Sequence, residues 1–165
     1  MNRPLVLVAL LAVTGASAAP STPGAATFDT GMQAILGEYL GVQAALASDS
    51  LEGVPAAAKK IAAAAKALSV KAAGANARDL AALPQELATS ASALATARDL
   101  AAARQAFKEL SRPMVQWASL AKPAGVQVLS CSMAQGKWLQ TAQDVRNPYY
   151  GASMLRCGEV VASAR

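Results

Sequence analysis

The sequence has no histidine among its 165 residues, and only 4% of its residues are aromatic. Histidine is the commonest metal ligand and the commonest general base in enzymes, so its absence argues against zinc sites and acid–base catalysis. Charged residues are also sparse, at 15%, and the net charge is only +5. No basic segment carries the aromatic side chains typical of a nucleic-acid interface. We therefore expect a protein that is not an enzyme and has no nucleic-acid partner.

The sequence also lacks an apolar run long enough for a membrane span. The run from Leu5 to Val13 is about half of the roughly 20 residues that a span needs. It follows a positive start at Arg3 and precedes small residues up to Ala18, which is the pattern of a secretory signal peptide. We predict a signal peptide over residues 1–18, cleaved near Ala18, and a periplasmic or otherwise exported protein without stable membrane insertion. Residues 19–28 are rich in Pro, Ser and Gly and are expected to form a linker.

Alanine supplies much of the 54% hydrophobic content, and alanine favours helix. Apolar residues recur at spacings of three and four in the segments that follow the linker, as expected for amphipathic helices. The clearest stripes are Met32, Ile35, Leu36, Tyr39, Leu40 and Leu46, then Leu51, Val54, Ala58, Ile61, Ala65 and Leu68, and later Leu100, Ala103, Phe107, Leu110, Met114, Trp117 and Ala121. The second helix is expected to start at Asp49, and a third is expected from about Pro84 to Ala95.

This pattern predicts an all-α fold, an up-down four-helix bundle over residues 29–122. The alternative is a three-helix bundle in which residues 84–121 form one long helix. Residues 123–165 have a different composition and are expected to form a loop-rich C-terminal cap of the same domain. Large side chains such as Trp138, Tyr149 and Tyr150 would pack this cap on the bundle.

The cap holds four sulfur atoms in two pairs, Cys131 with Met133 and Met154 with Cys157. Thiolates and thioethers select soft ions, so these four residues are candidate ligands for Cu(I) or Ag(I). The alternative is a Cys131–Cys157 disulfide, which is the usual state of two cysteines in an exported protein. It would close a loop of 26 positions and stabilise the fold by about 3.5 kcal/mol on the chain-entropy model. The methionines would then only fill gaps around the disulfide.

Two segments of the cap, CSMAQGKWLQ and VRNPYYGASMLRCGEVV, resemble the C-terminal signature of a domain-of-unknown-function family associated with heavy-metal efflux. The helical segment RDLAAARQAFKELS resembles the same family. The signature positions that are not sulfur residues include Trp138, Asn147, Pro148, Tyr149 and Gly151. In the family a proline usually follows the first cysteine, where this chain has a serine.

The resemblance implies a periplasmic accessory module of a copper- or silver-type efflux system, with an efflux adaptor protein as its partner. The resemblance is compatible with a metal-binding module. It is equally compatible with a disulfide-stapled interaction domain that binds no metal.

Overall fold

The computed structural model describes residues 23–141 and 143–163, so the predicted signal peptide lies outside the described residues. Four helices come first: α1 (Pro23–Ala47), α2 (Val54–Ala67), α3 (Leu83–Ala95) and α4 (Leu100–Ala121). Each helix packs against the next one along the chain. A 3-10 helix (Val70–Asn76) lies between α2 and α3 and packs against α1. The predicted helical bundle is therefore present.

The helix boundaries follow local chemistry. α1 begins at Pro23, inside the stretch expected to be a linker, and proline suits a first helical turn. α2 begins at Val54 rather than at Asp49, because Asp49 takes a left-handed conformation with φ of 56°. At α4 the side chain of Asp99 caps the helix by accepting a hydrogen bond from the N–H of Ala102 at 2.8 Å.

Residues 84–121 do not form one long helix, so the three-helix alternative is wrong. The chain leaves the helical conformation after Ala95, and Asp99 is extended, with φ of −144° and ψ of 169°. α4 then runs through Pro113 without a break, as far as Ala121.

The prediction of an all-α fold is wrong for the residues after α4. They contain three short strands, β1 (Gln127–Cys131), β2 (Gly136–Gln140) and β3 (Glu159–Ser163), in an antiparallel sheet of order β2-β1-β3. β1 and β2 form a hairpin, whereas β3 returns to β1 after the long connection that contains a 3-10 helix (Gly151–Met154). We call residues 126–163 the C-terminal layer.

The buried core runs from the bundle into the C-terminal layer without interruption. β2 packs against α4, and to a smaller extent against α1. The largest fully buried side chains are Trp117, Trp138, Tyr39, Phe107, Met32, Ile35, Leu46, Ile61, Leu83, Leu87, Leu94 and Leu110. None of the helices within the described ranges combines the length and the hydropathy that a membrane span requires.

Candidate functional site

The two cysteines lie in contact in the C-terminal layer. Cys131 is the last residue of β1, and Cys157 lies just before β3. The antiparallel pairing of the two strands, which places Ser130 opposite Glu159, brings the two sulfur atoms to 2.6 Å from each other. Cys131 is only 1% exposed, whereas Cys157 is half-buried. Non-local strand pairing therefore creates a paired-thiol site in which one sulfur is more accessible than the other.

The environment of the pair favours a thiolate on Cys131. Burial acts to raise the pKa of this thiol, but hydrogen bonds to its sulfur outweigh burial and hold the pKa below its usual value. The donors are the Cys157 thiol, the backbone N–H groups of Ala134 and Met133, and the side chain of Asn147. The pKa of Cys157 is raised, because its proton is held in the hydrogen bond to Cys131, with burial and the Cys131 charge adding to the effect.

The two methionines predicted as ligands both lie between the two cysteines in the sequence. Met133 lies in the turn between β1 and β2, and its side chain is 64% exposed. Met154 is half-buried at the end of the 3-10 helix Gly151–Met154. Its carbonyl accepts a hydrogen bond from the N–H of Cys157 at 3.0 Å. Across the part of the chain that the structure describes, no three side chains of His, Cys, Asp or Glu cluster together. Of the four predicted ligands, the two cysteines are the ones that the structure brings into contact.

Asn147 ties together the segment that carries Cys157. Its side chain is completely buried, and its amide nitrogen donates to the carbonyl of Cys157 at 2.7 Å. Its side-chain oxygen accepts from the N–H of Tyr149 at 2.8 Å. Its backbone N–H donates to Leu155 at 2.8 Å, and its carbonyl accepts from Gly151 at 3.1 Å. The asparagine of the predicted signature therefore holds the Cys157 segment in place.

Arg104 of α4 and Asp49, which follows α1, anchor the C-terminal layer to the bundle. The Arg104 guanidinium donates to the carbonyl of Pro148 at 3.2 Å and to that of Leu46 at 3.2 Å, and it forms an ion pair with Asp49. The other carboxylate oxygen of Asp49 accepts from the N–H of Ala152 at 2.9 Å. These hydrogen bonds hold the pKa of Asp49 below its usual value, with the contribution of Ala152 first and that of Arg104 second. One ionic contact thus joins two helices and the C-terminal layer.

Gly151 is required at this contact. Its φ is +57°, which glycine adopts without strain, and a Cβ atom there would collide with the carboxylate of Asp49 and the guanidinium of Arg104. The signature glycine therefore permits the close approach of the C-terminal layer to the bundle.

Four aromatic rings connect the bundle to the sheet. Tyr39 of α1 stacks on Phe107 of α4 with centroids 4.8 Å apart, and Phe107 lies 6.1 Å from Tyr149. Tyr149 in turn meets Trp138 of β2 edge-on at 5.7 Å. The hydroxyl group of Tyr149 donates to the carbonyl of Lys137, which fixes β2 to the same ring. The predicted packing roles of Trp138 and Tyr149 are both visible in this chain of rings.

The residues that sequence reasoning missed are polar side chains whose hydrogen bonds connect the segments around the site. Gln140 is 1% exposed and accepts from the indole of Trp138 at 3.2 Å, and Gln43 of α1 donates to the carbonyl of Arg146 at 2.6 Å. The sequence gives one indication for Gln43, which is a polar residue at a position of the apolar stripe between Leu40 and Leu46. No local pattern indicates the role of Arg104.

The helical part of the chain matches the sequence model of one protein family. The sequence model of the family described as Protein of unknown function (DUF3347) matches residues 35–124. The matched range ends before β1, so the paired cysteines and the predicted C-terminal signature lie outside it. No curated protein and no solved structure matches the chain. Because the matched residues make up more than half of the chain, the protein belongs to this family of unknown function, DUF3347.

Proposed function

We propose that the protein is an exported accessory module that binds a soft monovalent metal ion, Cu(I) or Ag(I), through reduced Cys131 and Cys157. The observation that carries the proposal is the contact between the two thiols together with the hydrogen bonds that stabilise a thiolate on Cys131. A thiolate is the form of cysteine that binds metal, so an environment that lowers the pKa of Cys131 favours the ligand state. The lack of histidine suits a soft ion better than zinc.

Binding would require the sulfur atoms to move apart, because a metal–thiolate bond is about 2.3 Å long in zinc sites and an ion cannot fit between sulfurs 2.6 Å apart. The movement would be a rotation of the half-buried Cys157 side chain, because Asn147 holds the Cys157 backbone and Cys131 is buried at the paired end of β1. Met154 is three residues from Cys157 and is the better placed candidate for a third ligand. Met133 is two residues from Cys131, and its exposed side chain would have to fold back to reach the ion.

The wider setting of this function rests on the sequence. The signal-peptide pattern supports export, and the resemblance of the C-terminal segments supports a periplasmic role beside a copper- or silver-type efflux adaptor. We propose no catalytic activity, because acid–base chemistry has no histidine to use and no cluster of carboxylates occurs within residues 23–141 and 143–163.

A second function is favoured by the same sulfur contact. In an oxidising compartment Cys131 and Cys157 would join as a disulfide, and the protein would act as a stapled interaction domain without metal. The nearly complete burial of Cys131 suits this role as well. The methionines would then have no ligand role.

The test is a thiol count followed by a metal titration. The mature protein, starting at Ala19, is assayed for free thiols with and without reductant, and the reduced protein is then titrated with Cu(I) against a chelating competitor. We expect tight one-to-one binding that is lost in Cys131→Ser and weakened in Met154→Leu. Met32→Leu serves as the matched control, because Met32 is buried in the bundle and cannot reach the cysteines.

Two outcomes would decide between the functions. If the reduced protein binds Cu(I) no better than a Cys131→Ser/Cys157→Ser variant, the metal site does not exist. Fully oxidised thiols in the purified protein, together with that result, would leave the stapled interaction domain.

A further inference from the structure

A cleft of about 420 Å³ separates α4 from the β1–β2 hairpin. The α4 side is formed by residues spaced as one helical face, Lys108, Ser111, Arg112, Val115 and Gln116. The hairpin side is formed by Ser130, Gln135, Gly136 and Lys137. The cleft has an apolar wall at Val115 and hydrogen-bonding groups around it, which is the make-up of a small-molecule site.

The charged residues that line the cleft are all cations. Lys108, Arg112 and Lys137 contribute positive charge, and no carboxylate lines it. Glu109 pairs with Arg112 at 2.8 Å, and Glu159 lies on β3, which β1 separates from the strand that carries Lys137. Neither lysine forms an ion pair within the described residues. Positive charge therefore remains uncompensated at the cleft.

The ammonium group of Lys108 and the backbone of Lys137 are each held in position by a hydrogen bond. The ammonium group of the half-buried Lys108 donates to the carbonyl of Ala134 at 2.7 Å, which fixes it against the hairpin turn. The backbone of Lys137 is held by the hydroxyl group of Tyr149. A Cβ atom at Gly136 would lie 2.8 Å from the Tyr149 ring, so glycine allows the hairpin to sit tightly on that ring. A fixed arrangement of donors loses less entropy on binding than free surface lysines do.

We propose that this cleft binds a small anion that carries phosphate or carboxylate groups. Lys108 and Lys137 would contact the anion from opposite walls. Arg112 would add the N–H donors that do not bind Glu109, and the amide of Gln135 would complete the site. The site is independent of the metal function, because none of the residues that form it is a sulfur ligand. Failure of either proposal therefore leaves the other standing.

The test uses the mature protein at low ionic strength, where surface charges are least screened. Inorganic phosphate and citrate are titrated in separate arms, and binding is followed by calorimetry and by the backbone amide shifts of Gln135 to Lys137. We expect saturable one-to-one binding of at least one anion, and a loss of roughly tenfold or more in affinity in Lys137→Gln, the usual effect of one charge-assisted hydrogen bond. Lys137 is exposed, so this variant should keep the fold.

The matched control is Lys59→Gln/Lys66→Gln, which removes two exposed lysines from α2 and leaves the cleft intact. It is compared with Lys108→Gln/Lys137→Gln. Equal affinity of these two double variants, or shifts that are not confined to the cleft, would overturn the proposal. Absence of saturation with both anions would also overturn it. Which anion binds more tightly decides between a phosphate and a carboxylate ligand.

Discussion

The bundle and the C-terminal layer depend on different features of the sequence. In the bundle, apolar side chains recur every three or four residues, and each helix buries its stripe against the next helix along the chain. In the C-terminal layer, the strands are only five residues long, and several of the decisive contacts are hydrogen bonds to distant polar groups. The first region is encoded locally, whereas the second depends on the first as its partner.

The long-range contacts show how the layer depends on the bundle. The hydroxyl group of Tyr39 accepts from the N–H of Leu139, 100 positions away, and Gln43 reaches Arg146 over 103 positions. Asp49 and Ala152 are likewise 103 positions apart. These contacts hold the C-terminal layer, which contains the paired cysteines, against the bundle. The bundle thus acts as the support on which the site is assembled.

The largest expected effect comes from removing Trp138. This side chain is completely buried and meets the ring of Tyr149 edge-on, so Trp138→Ala should lower the free energy of unfolding by about 3 to 5 kcal/mol. Urea unfolding followed by circular dichroism measures the loss. If the two regions form one cooperative unit, the helical signal should be lost at a lower urea concentration although the substitution lies in the sheet.

The two tryptophans supply the control for that comparison. Trp138→Phe leaves Trp117 as a reporter of the bundle, and Trp117→Phe leaves Trp138 as a reporter of the C-terminal layer. Within each variant, fluorescence and circular dichroism should give the same transition. If the C-terminal layer unfolds at a much lower urea concentration than the bundle, the bundle is stable without the layer and the contacts between the two regions are weak.

Gly151→Ala should have the next largest effect, roughly 2 to 3 kcal/mol. It combines a positive φ with a collision against Asp49 and Arg104. Gly125→Ala is the matched control, because Gly125 has φ of +73° but no atom within 4 Å of an added Cβ. The difference between the two variants in urea midpoint isolates the collision from the backbone strain. Equal losses would show that the layer does not need the close approach.

The sequence predicts the bundle well because helical periodicity is a local property. The stripe that contains Phe107, Leu110 and Met114 is buried as expected. The β-branched, apolar residues 126–129 indicate one short extended segment, which overlaps β1, whereas β2 was not predicted because it shows no clean alternation of buried and exposed residues. β3 pairs with β1 only after a long connection, and no local rule predicts such a pairing.

The candidate site was predictable in part. Both cysteines stand out by residue type, and their contact follows from the β1–β3 pairing, which the sequence does not reveal. Asp49 was interpreted as a helix start because Glu52 follows it at the spacing of a capping box. In the structure its carboxylate instead binds Arg104 and Ala152. The capping-box spacing is present in the sequence, but the tertiary contacts of the Asp49 carboxylate determine its role in the structure.

A smaller effect is expected from Tyr39→Phe, which keeps the stacked ring and removes only the hydroxyl group. This group is paired with Ser111 at 2.7 Å and accepts from the N–H of Leu139 at 3.2 Å, so its loss leaves buried polar groups without that partner. We expect a loss of roughly 1 to 2 kcal/mol in the free energy of unfolding. Tyr150→Phe is the control, because the exposed Tyr150 hydroxyl bond to Met133 should contribute less than about 0.5 kcal/mol. Equal losses in both variants would argue against a bridging role for Tyr39.

The smallest effect is a pH dependence that originates at Asp49. Because its pKa is lower in the folded protein than the ordinary value of 3.8, its contribution to stability is fully present above that value and is lost as the pH falls through the folded pKa. Urea midpoints measured from neutral pH down to below 3.8 should therefore decline less steeply in Asp49→Asn than in the parent protein. Asp79→Asn, which removes an exposed carboxylate from the region before α3, is the matched control. If both variants show the same pH profile, the ion pair with Arg104 does not help to hold the C-terminal layer on the bundle.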